Sequence, residues 1–165
     1  DKDLWFTECS GTVGSSFAGD LVWNMQNLVI GAVRNWARGV TLWNIALDQN
    51  SGPQNGGCTK CRGVVTIDTS AAPMTITRNV EYYVLAQAAK FVRPGAVRID
   101  STSGAGGLLS VAFRNPNGSM VVIVLNTGAS ASDFAVAASP GGRTFLYTLR
   151  GQSVATFLWA GGSAQ

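Results

Sequence analysis

Carboxylates able to do chemistry are scarce in this chain, which has only two glutamates in 165 residues, Glu8 and Glu81. Glu8 closes the run Leu4-Trp5-Phe6-Thr7 and is followed by the small residues Cys9-Ser10-Gly11. An apolar run ending on a carboxylate reads as a buried strand delivering one acid at its C-terminal tip. A buried charge is costly, so such an acid needs a partner or a chemical task. A glutamate simply solvated past the strand end is the other reading the spacing allows. Glu81 falls in a helical pattern, which leaves Glu8 as the candidate catalytic carboxylate.

The second reactive set is Cys58 and Cys61 in C-T-K-C, between Gly57 and Gly63. One cysteine pair in a chain without histidine cannot complete a four-ligand zinc site. A thioredoxin-like pair would open a helix after a strand, which this loop does not offer. A disulfide stapling the loop is expected, and with it a secreted protein. Cys9 is expected to be a free, buried packing residue. Trp43 and Asn44 lie within an apolar stretch, where a tryptophan most commonly fills an interior. An amide inside an apolar strand, in turn, needs hydrogen-bond partners.

The elements that would position these residues follow from periodicity. After a Gly/Ser connection over 10–16, apolar residues from Phe17 to Trp36 recur at helical spacing, with Ser15 or Ser16 as cap, Asp20 in the first turn and Gly39 closing the end. Residues 40–47 read as one strand, so strand, helix and strand form a unit feeding a parallel sheet. A long Gly/Asn/Pro loop over 48–63 precedes a short strand at 64–68. A second helix is predicted over 77–92, with Val80, Tyr83, Val84, Ala88 and Phe91 on one face, stopping at Arg93-Pro94-Gly95. Beyond Gly95 the pattern predicts strands at 97–101, 108–114, 120–126, 134–137, 144–149 and 154–159, with a turn at Asn115-Pro116-Asn117-Gly118. The turn also accounts for the glycosylation-type triplet Asn117-Gly118-Ser119. The expected organisation is an α/β part over 1–95 and an antiparallel β-sandwich over 96–165. Trp5, Trp23, Trp36 and Trp159 are expected in the core.

Composition narrows the function classes. Apolar residues make up 46% and charged residues 13%, which excludes general disorder. The net charge of +3 is scattered, with no basic stripe to bind nucleic acid. The longest apolar run, Met120 to Leu125, is too short to span a bilayer. The chain opens directly in a strand motif, as a piece of a longer protein would, with any export signal further upstream.

Five blocks carry a family resemblance: L-W-F-T-E-C-S-G, T-L-W-N-I-A-L-D, Y-Y-V-L-A-Q-A-A-K-F-V-R-P-G, S-M-V-V-I-V-L-N and A-T-F-L-W. In this order they resemble glycoside hydrolase family 30, which includes glucosylceramidases and β-1,6-glucanases. The resemblance implies a (β/α)8 barrel with a β-sandwich side domain. The chain would begin at the seventh barrel strand and hold the seventh helix, the eighth strand and the eighth helix before the sandwich. It implies that Glu8 is the nucleophile of a retaining β-glycosidase and that Trp43 and Asn44 contact sugar, as residues at strand ends do in barrels. The family's acid/base, a Glu following an Asn, has no counterpart here, so the isolated chain is expected to be inactive. The expected partners are a β-glucoside or β-glucan substrate and either the remainder of the barrel or a second copy of the chain. No metal or cofactor is implied. The C-T-K-C loop points to the bacterial glucanase type rather than to a lipid substrate. The competing function is a non-catalytic sandwich that binds carbohydrate or scaffolds.

Overall fold

The computed structural model describes residues 2–137 and 144–161. It divides into two compact units, 1–90 and 91–165. The expected boundary lay five residues later, at Gly95.

The first unit runs β1 (Leu4–Phe6), β2 (Gly11–Thr12), α1 (Phe17–Asn24) continuing as a π-helix over Met25–Ala32, β3 (Ala37–Val40), β4 (Ala46–Asp48), β5 (Cys61–Arg62), β6 (Val65–Asp68), β7 (Thr75–Arg78) and α2 (Val80–Ala89). Ser16 caps α1, its hydroxyl accepting from the Gly19 amide at 3.1 Å. The buried stripe is Leu21, Asn24, Met25, Leu28, Val29 and Ile30. The wider π turns let three successive residues, Leu28 to Ile30, share the buried side.

The end of this helix differs from expectation. Its last turn closes where the Trp36 amide donates to Val33 at 3.0 Å, and Trp36 takes φ +70. The chain then swings directly into β3. Gly39 therefore terminates nothing and lies inside β3, where an added Cβ would stand 2.2 Å from Trp5 Cζ3. Only glycine leaves room for that ring. β3 pairs with β1 in parallel, with Leu4 opposite Ala37 and Phe6 opposite Val40. A parallel pair joined through a helix is a β-α-β unit, as the spacing predicted.

Two further expectations are corrected. The single strand over 40–47 is broken, because Asn44 Oδ1 accepts from the Ala46 amide at 2.9 Å while its carbonyl accepts from Val64. A short polar side chain that bonds its own backbone competes with the ladder, so Thr41–Ile45 is a connection and β4 resumes after it. The second helix begins at Val80, not Thr77, because Thr75–Arg78 pairs antiparallel with β6. The β-branched run Thr-Ile-Thr favours that edge strand over a helical turn.

Three tryptophans expected in the core are not there. Trp5 is 57%, Trp23 51% and Trp36 72% exposed. Among the described residues β1 and β3 pair only with each other, so no further strand extends the sheet beside Trp5. For the same reason β1 is not the buried strand its sequence suggests.

The second unit runs β8 (Val97–Ile99), β9 (Leu108–Arg114), β10 (Met120–Asn126), β11 (Ser132–Ala137), β12 (Thr144–Leu149) and β13 (Ser153–Trp159). The first sheet is antiparallel in the order β13-β10-β9-β8, and β11 and β12 form a second, two-stranded one. Gly118, at φ +81, supplies the left-handed turn between β9 and β10. Ala112, Val122, Val124 and Leu149 centre the core, with Phe134, Val136, Phe157 and Trp159 packed against them. Trp159 thus keeps its expected place. Phe157 meets Tyr147 edge to face at 5.0 Å and Phe145 at a tilt at 5.2 Å between ring centroids, which joins the two sheets. Asn126, fully buried at the end of β10, donates to the carbonyls of Ser130 and Leu149 and accepts from the Gly128 amide. Its amide is thereby satisfied without water.

Candidate functional site

Glu8 follows β1 by two residues and is exposed. Its neighbours on either side are fixed by hydrogen bonds to their main-chain carbonyls. The Thr41 amide donates to Phe6 at 2.9 Å, the Thr41 hydroxyl to the Thr7 carbonyl, and the Trp43 amide to Cys9 at 2.7 Å. Residues 41–43 therefore lie alongside residues 6–9, which brings Trp43 and Asn44 to the chain that carries Glu8. Trp43 is 46% exposed, so its ring is open to solvent on this surface. Asn44 is half-buried, with Oδ1 committed to the Ala46 amide. That leaves its NH2 as the group able to donate to a ligand.

Cys58 and Cys61 are bonded to each other, with Cα atoms 5.5 Å apart, within ordinary disulfide reach. Cys9 is free and half-buried rather than buried. The loop returns through β5, which pairs antiparallel with β2 just beyond Glu8.

The residue that sequence reasoning set aside is Glu81. It is fully buried and takes the Arg62 fork on both oxygens, Nε to Oε2 at 3.1 Å and Nη2 to Oε1 at 2.7 Å. Arg62 Nη2 also donates to Asp20 Oδ2 at 2.6 Å, and the Ser15 hydroxyl donates to the same oxygen. The Arg62 guanidinium holds its proton more tightly than usual, first through its bond to Glu81, with burial opposing and Asp20 assisting. A carboxylate at the second position of a largely apolar helix was the available signal. No local spacing connects it to an arginine nineteen residues earlier.

Cavities of about 250 and 260 Å³ open among the described residues. One lies within the sandwich, lined by Ile99, Leu108, Ala112, Val124, Phe134 and Trp159 among others. The other, in the first unit, is lined by Val13, Leu47, Asp48, Cys61, Arg62 and Thr66 among others. Glu8, Trp43 and Asn44 line neither. Among the described residues no three His, Cys, Asp or Glu side chains converge as a metal site would require. No helix there is long and apolar enough to cross a membrane.

Comparison with known proteins gives consistent matches. Residues 95–157 match the glycosyl hydrolase family 30 beta sandwich domain. The chain is 38% identical over 108 residues to an endo-1,6-beta-D-glucanase of Aspergillus fumigatus, covering 61% of this chain and 21% of that protein. It is 36% identical over 136 residues to one of Trichoderma harzianum, covering 77% of this chain and 26% of that protein. Against a solved endo-beta1,6-glucanase it superposes with a TM-score of 0.87 at 36% identity, covering 98% of this chain and 36% of that one. The chain thus spans about a quarter or less of the length of these two fungal relatives.

Proposed function

We infer the function from one premise: this chain resembles the C-terminal portion of glycoside hydrolase family 30 proteins, and residues 95–157 match that family's beta sandwich domain. On it we propose that the whole polypeptide is a retaining β-glycosidase acting on β-1,6-linked glucan. Residues 1–95 would be the last quarter of its barrel and residues 96–165 its side domain. The observation that carries this reading is the 36% identity to a solved endo-beta1,6-glucanase over 98% of the chain. The parallel β1–β3 pair joined by a helix supports the barrel assignment.

In this mechanism Glu8 attacks the anomeric carbon. A second carboxyl, roughly 5 Å away, protonates the leaving oxygen and then activates water. That acid/base comes from the remainder of the polypeptide, so the isolated chain is inactive. Trp43 offers its exposed ring to a sugar face, and the Asn44 NH2 donates to a hydroxyl. Hydrolysis of this kind needs two carboxyls and water and no cofactor. The exposed side chains of Leu4, Trp5 and Ile45 are the surface that the remaining barrel covers. The Cys58–Cys61 bridge fits an exported protein.

The test uses the full-length polypeptide. Glu8→Gln should lower kcat on β-1,6-glucan by on the order of 10⁴-fold. An activated 2-fluoro-glucoside should leave a covalent sugar on the peptide containing Glu8, read by mass spectrometry. Labelling of a different carboxylate would sink the assignment.

A further inference from the structure

The chain beyond Glu8 is held by a clamp of its own. Gly11 pairs with Arg62 and Thr12 with Cys61, the Val13 amide donates to Lys60 at 2.9 Å, and the Ser10 hydroxyl reaches Cys61 Sγ at 3.0 Å. All four contacts come from residues 60–62. A two-residue ladder does not support itself in water. Besides the Cys58–Cys61 bridge, what fixes β5 is the Arg62 side chain, forked onto fully buried Glu81 on α2 and tied to Asp20 on α1. The ion cluster rests directly on the backbone it steadies. A Cβ at Gly11 would stand 1.9 Å from Glu81 Oε1 and 2.8 Å from Arg62 Nη2. Gly11 is three residues from Glu8.

We propose that Arg62 is a positioning residue for the nucleophile: its fork onto Glu81 and Asp20 anchors β5, and β5 through β2 sets where the chain presents the Glu8 carboxylate. The proposal rests on Glu8 being the nucleophile. Lysine would keep the charge but lose the two-pronged geometry. Misplacing a reacting group by about 1 Å costs on the order of 100-fold in rate.

The experiment is a double-substitution cycle in the full-length polypeptide, assayed on a nitrophenyl β-glucoside. Arg62→Met should lower kcat by about 100-fold with KM little changed, and Arg62→Lys by about 10-fold. In a Glu8→Gly background, azide replaces the missing carboxylate. Its lone pair forms the C–N bond as the C–O bond to nitrophenolate breaks, giving a glycosyl azide of inverted configuration. There the placement of Glu8 no longer matters, so both Arg62 substitutions should cost less than about twofold. Equal losses in the two backgrounds would show that Arg62 serves stability alone and would overturn the proposal while leaving the nucleophile in place. Failure of azide to restore turnover or yield the glycosyl azide would remove Glu8 as nucleophile, and the proposal with it. If Arg62→Met does not fold, Arg62→Lys carries the same cycle to either result.

Discussion

The two units are held together by different means. In the sandwich, β9 and β10 are seven residues each and bury ten of their fourteen side chains, Val111, Val121, Ile123 and Leu125 completely. In the first unit no strand exceeds four residues, and large apolar side chains such as Leu4, Trp5 and Ile45 face outward. Its fixed points are one mixed helix, a part-buried Arg62 forked onto fully buried Glu81, and a short disulfide. Apolar burial is non-directional and tolerates small adjustments. A buried ion pair holds only while both partners remain, since losing one strands the other in low dielectric. The first unit should therefore fail abruptly at a few points, and the sandwich gradually at many.

Arg62→Met tests this most severely. It leaves the fully buried Glu81 carboxylate without its guanidinium partner and should cost about 3–5 kcal/mol. Hydrogen exchange should rise through residues 10–13 and 60–62 while the β9–β10 amides stay protected. Uniform loosening of both units would erase the distinction. Ile123→Ala, in the centre of β10, should cost about 2–5 kcal/mol in thermal or denaturant unfolding. Leu4→Ala in β1, already 54% exposed, should cost much less, and equal penalties would mean that β1 is covered in solution. Replacing Cys58 and Cys61 together by serine opens a loop of only four residues and should cost about 2 kcal/mol by chain entropy. Protection should be lost first in β2 and β5.

The smallest effect concerns acid. The Ser70 hydroxyl, and then its amide, hold the Asp68 carboxyl below its ordinary value of 3.8. A depressed carboxyl contributes stability that is present above that value and lost as pH falls through the lower, folded one. Asp68→Asn should therefore narrow the gap to the unaltered protein only below about pH 3.8. Urea midpoints at pH 7 and pH 3 would show it, and equal differences at both would refute it.

The same contrast explains how much was legible in the sequence. The sandwich strands 108–114, 120–126 and 144–149 are found where their apolar and β-branched runs predicted them. There, local pattern and tertiary burial agree. In the first unit they part. Asn44 breaks its strand by bonding its own backbone, and Trp36 leaves the helix through a left-handed turn. Gly39, which resembles a helix stop, is instead the space Trp5 needs. Glu81 was hidden most thoroughly, because its partner arrives from a distant loop. Glu8 was conspicuous, yet its strand is exposed, because the covering that its apolar character anticipates does not come from the described residues.

The placement of the tryptophans has an optical consequence. Trp5, Trp23, Trp36 and Trp43 all belong to residues 1–90 and are each about half exposed or more, whereas Trp159 alone sits in the sandwich, packed against its core. Emission from the chain is thus a sum of four water-contacting indoles and one shielded one. Unfolding of the sandwich moves a single fluorophore toward the red, and covering of β1 and β3 moves others toward the blue. The two events carry opposite spectral signs, so one cuvette of unlabelled protein can tell them apart.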